Sequence, residues 1–76
     1  MLHKYRKTAL IEAEQFDGSN EMIKKYDLEN YGGGLVLDEL EGEFAIKPGD
    51  WIATGIDGEH WVIADDIFRK TYERCD

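Results

Sequence analysis

Two turn signals in the second half of the chain, Lys47-Pro48-Gly49-Asp50 and Ile56-Asp57-Gly58-Glu59, limit what it can fold into more than any other feature. Proline is pre-set for the first corner of a tight turn and glycine accepts positive φ at the second, so the chain reverses at Pro48-Gly49. An Asp-Gly pair between apolar runs is the signal of a type I′ hairpin. The segments around these reversals, Glu43-Phe44-Ala45-Ile46, Trp51-Ile52-Ala53-Thr54 and His60-Trp61-Val62-Ile63-Ala64, read as successive strands of an antiparallel meander. Phe44 and Ile46 share one face. Leu35-Val36-Leu37 precedes them as a further strand, joined by a turn near Glu41-Gly42.

The first half holds one strand and one helix. Thr8 to Phe16 alternates, with Ala9, Ile11 and Ala13 on one side and Leu10, Glu12, Glu14 and Phe16 on the other. Asp17-Gly18 ends it. Ser19 or Asn20 then caps a helix running to about Asn30, with Glu21 in the first turn and Met22, Ile23, Tyr26 and Leu28 on its apolar side. Gly32-Gly33-Gly34 stops that helix as a loop or C-cap; with no strand before it and no helix after, it is not a phosphate cradle. Near the C-terminus, Asp65 or Asp66 caps a short helix over Ile67 to Tyr72. The expected class is therefore α+β: a small bent antiparallel sheet of four to five strands forming a partial barrel. One helix lies between strands one and two, and a short C-terminal helix or tail closes one end.

A chain of 76 residues makes a single domain, 1–76, and buries only about 60% of the surface it exposes when unfolded. Nine aromatic residues, two Trp, four Tyr and three Phe, supply much of so thin a core. Eight glycines and this aromatic load leave apolar surface uncovered, so a homo-oligomer is expected. Cys75 is the only cysteine, which excludes an internal disulfide and suits a reducing compartment. The longest apolar run near the N-terminus, Ala9-Leu10-Ile11, is no signal-peptide core or membrane span, so the expected location is the cytoplasm.

The formal charge is −8, which disfavours nucleic-acid polymers as partners. Its distribution is uneven. Between Tyr26 and Asp66 there are eleven carboxylates and one base, Lys47, while six of the nine bases lie in the first seven and last eight residues. Tyr5-Arg6-Lys7 and Arg69-Lys70-Thr71-Tyr72 set cations beside rings, the combination that stacks a planar base and holds its phosphates. Tyr5, Arg6, Lys7, Trp61, Arg69, Lys70 and Tyr72 are accordingly the expected ligand-binding residues, against the plainer reading of rings as core and bases as solvated ends.

Catalytic signals are thin. His3 is terminal, and His60 has no Ser or Cys at motif spacing, so no nucleophile–base pair is legible. Asp57, Glu59, His60 and Asp65 fit turn and solubility roles better than metal ligation, since no HxH or HExxH pattern accompanies them. Asp65-Asp66 reads as capping and turn residues before it reads as an acid–base pair. No catalytic residue, metal or cofactor is expected.

From Lys47 to Tyr72 the chain resembles a family of short phage and prophage proteins of unknown function named for a Pro-Gly-Asp-Tyr-Gly motif. The motif reads here as Pro48-Gly49-Asp50-Trp51-Ile52, followed by Gly55-Ile56-Asp57-Gly58-Glu59 and Asp66-Ile67-Phe68-Arg69-Lys70-Thr71-Tyr72. Lys4-Tyr5-Arg6-Lys7, Ile11-Glu12-Ala13 and Gln15-Phe16-Asp17-Gly18 are similar to the opening of such proteins. Trp51 replaces the usual tyrosine, and Asp65 stands where relatives carry proline. The resemblance implies a phage or prophage origin and carries no activity of its own; taken with the charge distribution and the thin catalytic signals, it leaves three expected functions. The first is a non-enzymatic binding protein that sequesters a nucleotide-type immune signal of the bacterial host, a counter-defence role. The second is an acidic protein–protein interaction module or DNA mimic that inhibits a host protein. The third is a virion accessory protein.

Overall fold

The computed structural model describes residues 1–40 and 42–76. Among them the chain forms β1 (Glu12–Gln15), α1 (Asn20–Lys25), β2 (Glu29–Asn30), β3 (Leu35–Glu39), β4 (Gly42–Ile46), β5 (Trp51–Thr54), β6 (His60–Ile63) and α2 (Asp65–Thr71). The architecture is α+β, with two antiparallel three-stranded sheets ordered β1-β5-β6 and β2-β3-β4. The single bent sheet read from the sequence is thus divided, for two reasons. β1 pairs with β5, setting Glu12 opposite Thr54 and Gln15 opposite Trp51. The Pro48-Gly49 corner then carries the chain from β4 in one sheet to β5 in the other. Glu41, part of the turn expected at Glu41-Gly42, lies outside the described residues.

The corner forms as its residue types demand. Gly49 takes φ 101°, and the Asp50 amide donates to the Lys47 carbonyl at 3.1 Å. β1 continues onto it: the Phe16 amide donates to the Asp50 carbonyl and the Gly49 amide to the Phe16 carbonyl, both at 2.8 Å. The buried Asp50 carboxylate accepts from the Lys47 amide and ammonium, each at 3.1 Å. These bonds tie the start of β5 to the end of β1 and fix where the two sheets meet.

α1 ends earlier than the apolar pattern suggests. Ser19 caps its start, accepting from the Met22 amide at 3.2 Å. Asp27 then turns left-handed at φ 53°. The Leu28 amide reaches the Ile23 carbonyl at 2.9 Å and the Asp27 amide the Lys24 carbonyl at 3.3 Å, the two bonds of a Schellman motif. Of the pair that flanks such a motif, Leu28 belongs to the core and Ile23 packs against it. The motif usually carries glycine, so an aspartate in that place hid the stop. Glu29 and Asn30 consequently form a strand, and Gly32-Gly33-Gly34 sits in the β2–β3 hairpin loop instead of stopping the helix. A strand does precede the glycines, but β3 and no helix follows them, which leaves the phosphate-cradle reading without support.

Two further local expectations are corrected. The β5–β6 connection is not a type I′ turn, because only Gly58 of the central residues has positive φ, 81°. The Gly58 amide donates to the Gly55 carbonyl at 3.0 Å and the Gly55 amide to the Glu59 carbonyl at 2.8 Å. That pattern is a three-residue loop whose glycine sits in the left-handed position. At α2 the N-cap is Ala64, with no side-chain bond; Asp65 and Asp66 lie inside the first turn. The Asp65 carboxylate is instead drawn sideways to Trp51.

Strand register sorts the β1-β5-β6 sheet into two faces. Glu14, Ile52 and Val62 fall in one row, and Glu12, Thr54 and His60 in the next; this face turns to α1 and the second sheet. Phe16, Met22, Leu28, Leu37, Ile46 and Ile52 form the core between them, with Phe16, Leu37 and Ile52 at most 1% exposed. Each such side chain contributes about 1.5–3 kcal/mol by leaving water. Ala13, Gln15, Trp51, Ala53, Trp61 and Ile63 occupy the opposite face, which α2 and the N-terminal segment partly cover. Trp51, read from the sequence as core, is half-buried in this second layer. Among the described residues no helix is long and apolar enough to cross a membrane.

Candidate functional site

The second layer is built on stacked rings. Helical spacing puts Phe68 and Tyr72, four residues apart, on one side of α2 and its end. Phe68 lies on Trp51 with centroids 4.0 Å apart and planes 13° apart, and Tyr72 lies on Phe68 at 5.2 Å and 17°. Asp65, one turn before Arg69, locks the base of this stack: its Oδ1 accepts from Trp51 Nε1 at 2.9 Å, Arg69 Nε at 2.9 Å and Gln15 Nε2 at 3.4 Å. The indole bond, and after it the arginine, hold the Asp65 carboxyl below the usual carboxylate range.

The outer ring is open. Tyr72 is 36% exposed and lines two adjoining grooves. One, of about 570 Å³, runs past Leu10, Ile11, Trp51 and Phe68. The other, of about 740 Å³, runs past Arg6, Lys7, Trp61, Ile63 and Ile67. Both volumes fall in the range of small-molecule sites. Lys7 Nζ stands 4.9 Å from the Trp61 ring centroid, a cation–π contact that pins the N-terminal segment over β6.

Of the seven residues expected to bind, Arg6, Lys7, Trp61 and Tyr72 come together along one groove. Arg69 and Lys70 line neither groove, and Arg69 is committed to Asp65. Tyr5 is 91% exposed and also lies outside both grooves. Within one copy of the chain the grooves gather Arg6 and Lys7 but not Arg69 and Lys70. Helix geometry explains the split: Asp65 and Arg69 are four apart and pair along α2, leaving the N-terminal bases to face the rings. Arg74, at the far end, pairs with Asp76 at 2.7 Å.

Compared with family models, curated proteins and solved structures, the chain matches none. Function must be read from its own side chains.

A second polar cluster escaped the sequence reading. Thr54 and His60 face each other across the hairpin, with Thr54 Oγ1 2.9 Å from His60 Nδ1. The imidazole meets the Tyr26 ring edge-on at 5.3 Å. Lys25 Nζ bridges to Glu14 at 2.6 Å and stands 5.3 Å from the Tyr26 centroid. Burial first, then the Glu14 hydrogen bond, push the Tyr26 phenol up. The Glu14 hydrogen bond raises the Lys25 ammonium. Only the hairpin's loop length, fixed by Gly58, could have announced the Thr54–His60 pairing. Hydroxyl and imidazole form the first half of a nucleophile–base arrangement, but among the described residues no carboxylate hydrogen-bonds to the ring to orient it. No three metal-ligating side chains among the described residues are grouped to hold an ion.

Proposed function

We propose that this is a non-enzymatic binding protein whose ligand is a small, planar, anionic molecule of the nucleotide type. One observation carries the reading: the Trp51–Phe68–Tyr72 stack ends on an open tyrosine where two grooves meet, with Arg6 and Lys7 along one of them. A ligand ring laid on Tyr72 extends the stack by one member, an interaction worth about 1–3 kcal/mol per base. Its phosphate then reaches Arg6 and Lys7, whose ammonium lies over the Trp61 ring in a contact that a phosphate can displace.

The resemblance to phage proteins gives the biological setting: sequestration of a host immune signal in the bacterial cytoplasm, with the ligand held and not transformed. Association of two copies covers the exposed Leu10 and Ile67 beside the grooves and brings in a second set of bases. Light scattering at tens of micromolar should then give at least twice 8.8 kDa.

The test is release. Protein purified from its native host and denatured should liberate a stoichiometric, ultraviolet-absorbing anion, detected intact by mass spectrometry. A clean protein that instead retains a basic host protein would favour the second reading, an acidic decoy. That reading has its own support in the outward face of β2-β3-β4, where Asp38 stands directly opposite Glu43. Like charges so placed destabilise a sheet and are relieved by a cationic partner.

A further inference from the structure

The outward face of β2-β3-β4 and the N-terminal arm carry opposite charges, and neither belongs to the ring stack. We propose that residues 1–5 of one copy lie along this sheet face of a second copy, whose own arm does the same in return, so that two chains exchange arms.

Strand register defines the face. Leu35 and Ile46 form one inward row and Leu37 and Phe44 the next, on the side of the core. Val36 and Ala45 therefore point outward, with Glu29 beside them, and Asp38 stands opposite Glu43 in the following outward row. Asp38 and Glu43 are exposed and make no ion pair among the described residues. Both lie near Tyr31: its phenol is pushed up first by the Glu29 hydrogen bond, and the charges of Glu43 and Asp38 push it further. Leu40, two residues beyond Asp38, is fully exposed.

The arm matches this line in chemistry and in spacing. An extended chain sets Leu2 and Lys4 on one side, about 6.6 Å apart, as Leu40 and Asp38 are in sequence two residues apart. Leu2 is as exposed as Leu40, and Lys4 makes no ion pair among the described residues. Leu2 thus covers Leu40 while the Lys4 ammonium falls between Asp38 and Glu43. Two like charges directly opposite destabilise a sheet, and a cation between them removes that cost.

The arm reaches a neighbour and not its own sheet. Lys7 holds its base over Trp61, on the side of the β1-β5-β6 sheet that faces away from β2-β3-β4. From there six extended residues span about 20 Å. The molecule is 22 Å across in its shortest dimension, and the arm would have to pass around it. Arg6 and Lys7 stay beside their groove in this arrangement, so arm exchange stands apart from nucleotide binding.

The experiment is charge exchange followed by light scattering at tens of micromolar protein and low salt. The parent should be a dimer. Lys4→Glu alone, and Asp38→Lys with Glu43→Lys in one chain, should each associate at least about tenfold more weakly. An equimolar mixture of the two should dimerise again, because the acidic arm of one meets the basic face of the other, and the reverse contact is also complementary. All three positions are exposed, and the double variant replaces one like-charge pair by another, so both chains keep the fold. A Lys4→Glu protein that associates as tightly as the parent would overturn the proposal. So would a mixture that fails to regain the dimer, or a monomeric parent, which would leave the acidic face to a foreign basic protein.

Discussion

Replacing Phe68 by alanine probes the layer on which the proposed site rests. Phe68 is the middle ring, 4.0 Å from Trp51 and 5.2 Å from Tyr72, and is half-buried. Full burial of a phenylalanine makes its truncation cost about 3–5 kcal/mol. Half of that, about 2 kcal/mol, is the expected share from lost contact. Two ring pairs add about 0.5–1.5 kcal/mol each, and alanine's better helix propensity returns about 0.5 kcal/mol. The net loss is about 3 kcal/mol, or a fall in Tm of about 12–24 °C for a domain of this size. Urea unfolding followed by far-ultraviolet circular dichroism measures it. Phe68→Leu keeps apolar bulk without the ring and should lose only about 1–2 kcal/mol. A Phe68→Ala variant within about 1 kcal/mol of the parent would show that the stack does not hold α2 to the sheet.

Asp50→Ala should cost about 1–3 kcal/mol in the same assay, since it removes the buried carboxylate that accepts from the Lys47 amide in a part-buried bond at the corner between the sheets. Asp27→Gly should instead stabilise by about 0.5–1 kcal/mol, because glycine accepts the left-handed φ of 53° without penalty; a loss would show that the aspartate side chain makes a contact of its own. The Tyr31 phenol is pushed up to about 12, first by its hydrogen bond to Glu29 and then by the Glu29 charge. Absorbance titration should therefore find one tyrosine ionising near pH 12 that returns toward 10 in Glu29→Gln. Because the folded value is raised, the stabilisation is complete below pH 10 and is lost as pH climbs from there through about 12.

The parts of this fold legible in the sequence are those fixed by local chemistry. Pro48 and Gly49 specify the corner, Ser19 the helix start, and alternation the shared face of Phe44 and Ile46. The parts that were hidden depend on partners distant in sequence. Nothing around Glu12 says that it pairs with Thr54 and not with the strand that follows, so one sheet could not be told from two. Asp27 in place of glycine concealed the end of α1. At the site, rings and bases were visible as residue types, but the apportioning of the bases was not. Whether Arg69 faces a ligand or Asp65 is decided by the indole of Trp51, which draws Asp65 to the side of α2 where the arginine then follows.

The central claim, that Tyr72 is the open end of a stack awaiting a planar anion, is tested most directly by calorimetry with two ligands that differ only in the ring. Adenosine 5′-monophosphate should bind at micromolar affinity, and ribose 5-phosphate at least about tenfold more weakly, since stacking of one base is worth about 1–3 kcal/mol. Tyr72→Ala should erase that difference while Arg6→Ala weakens both ligands. Equal affinities for the two in the parent protein, or a preference for the nucleotide that survives in Tyr72→Ala, would contradict it.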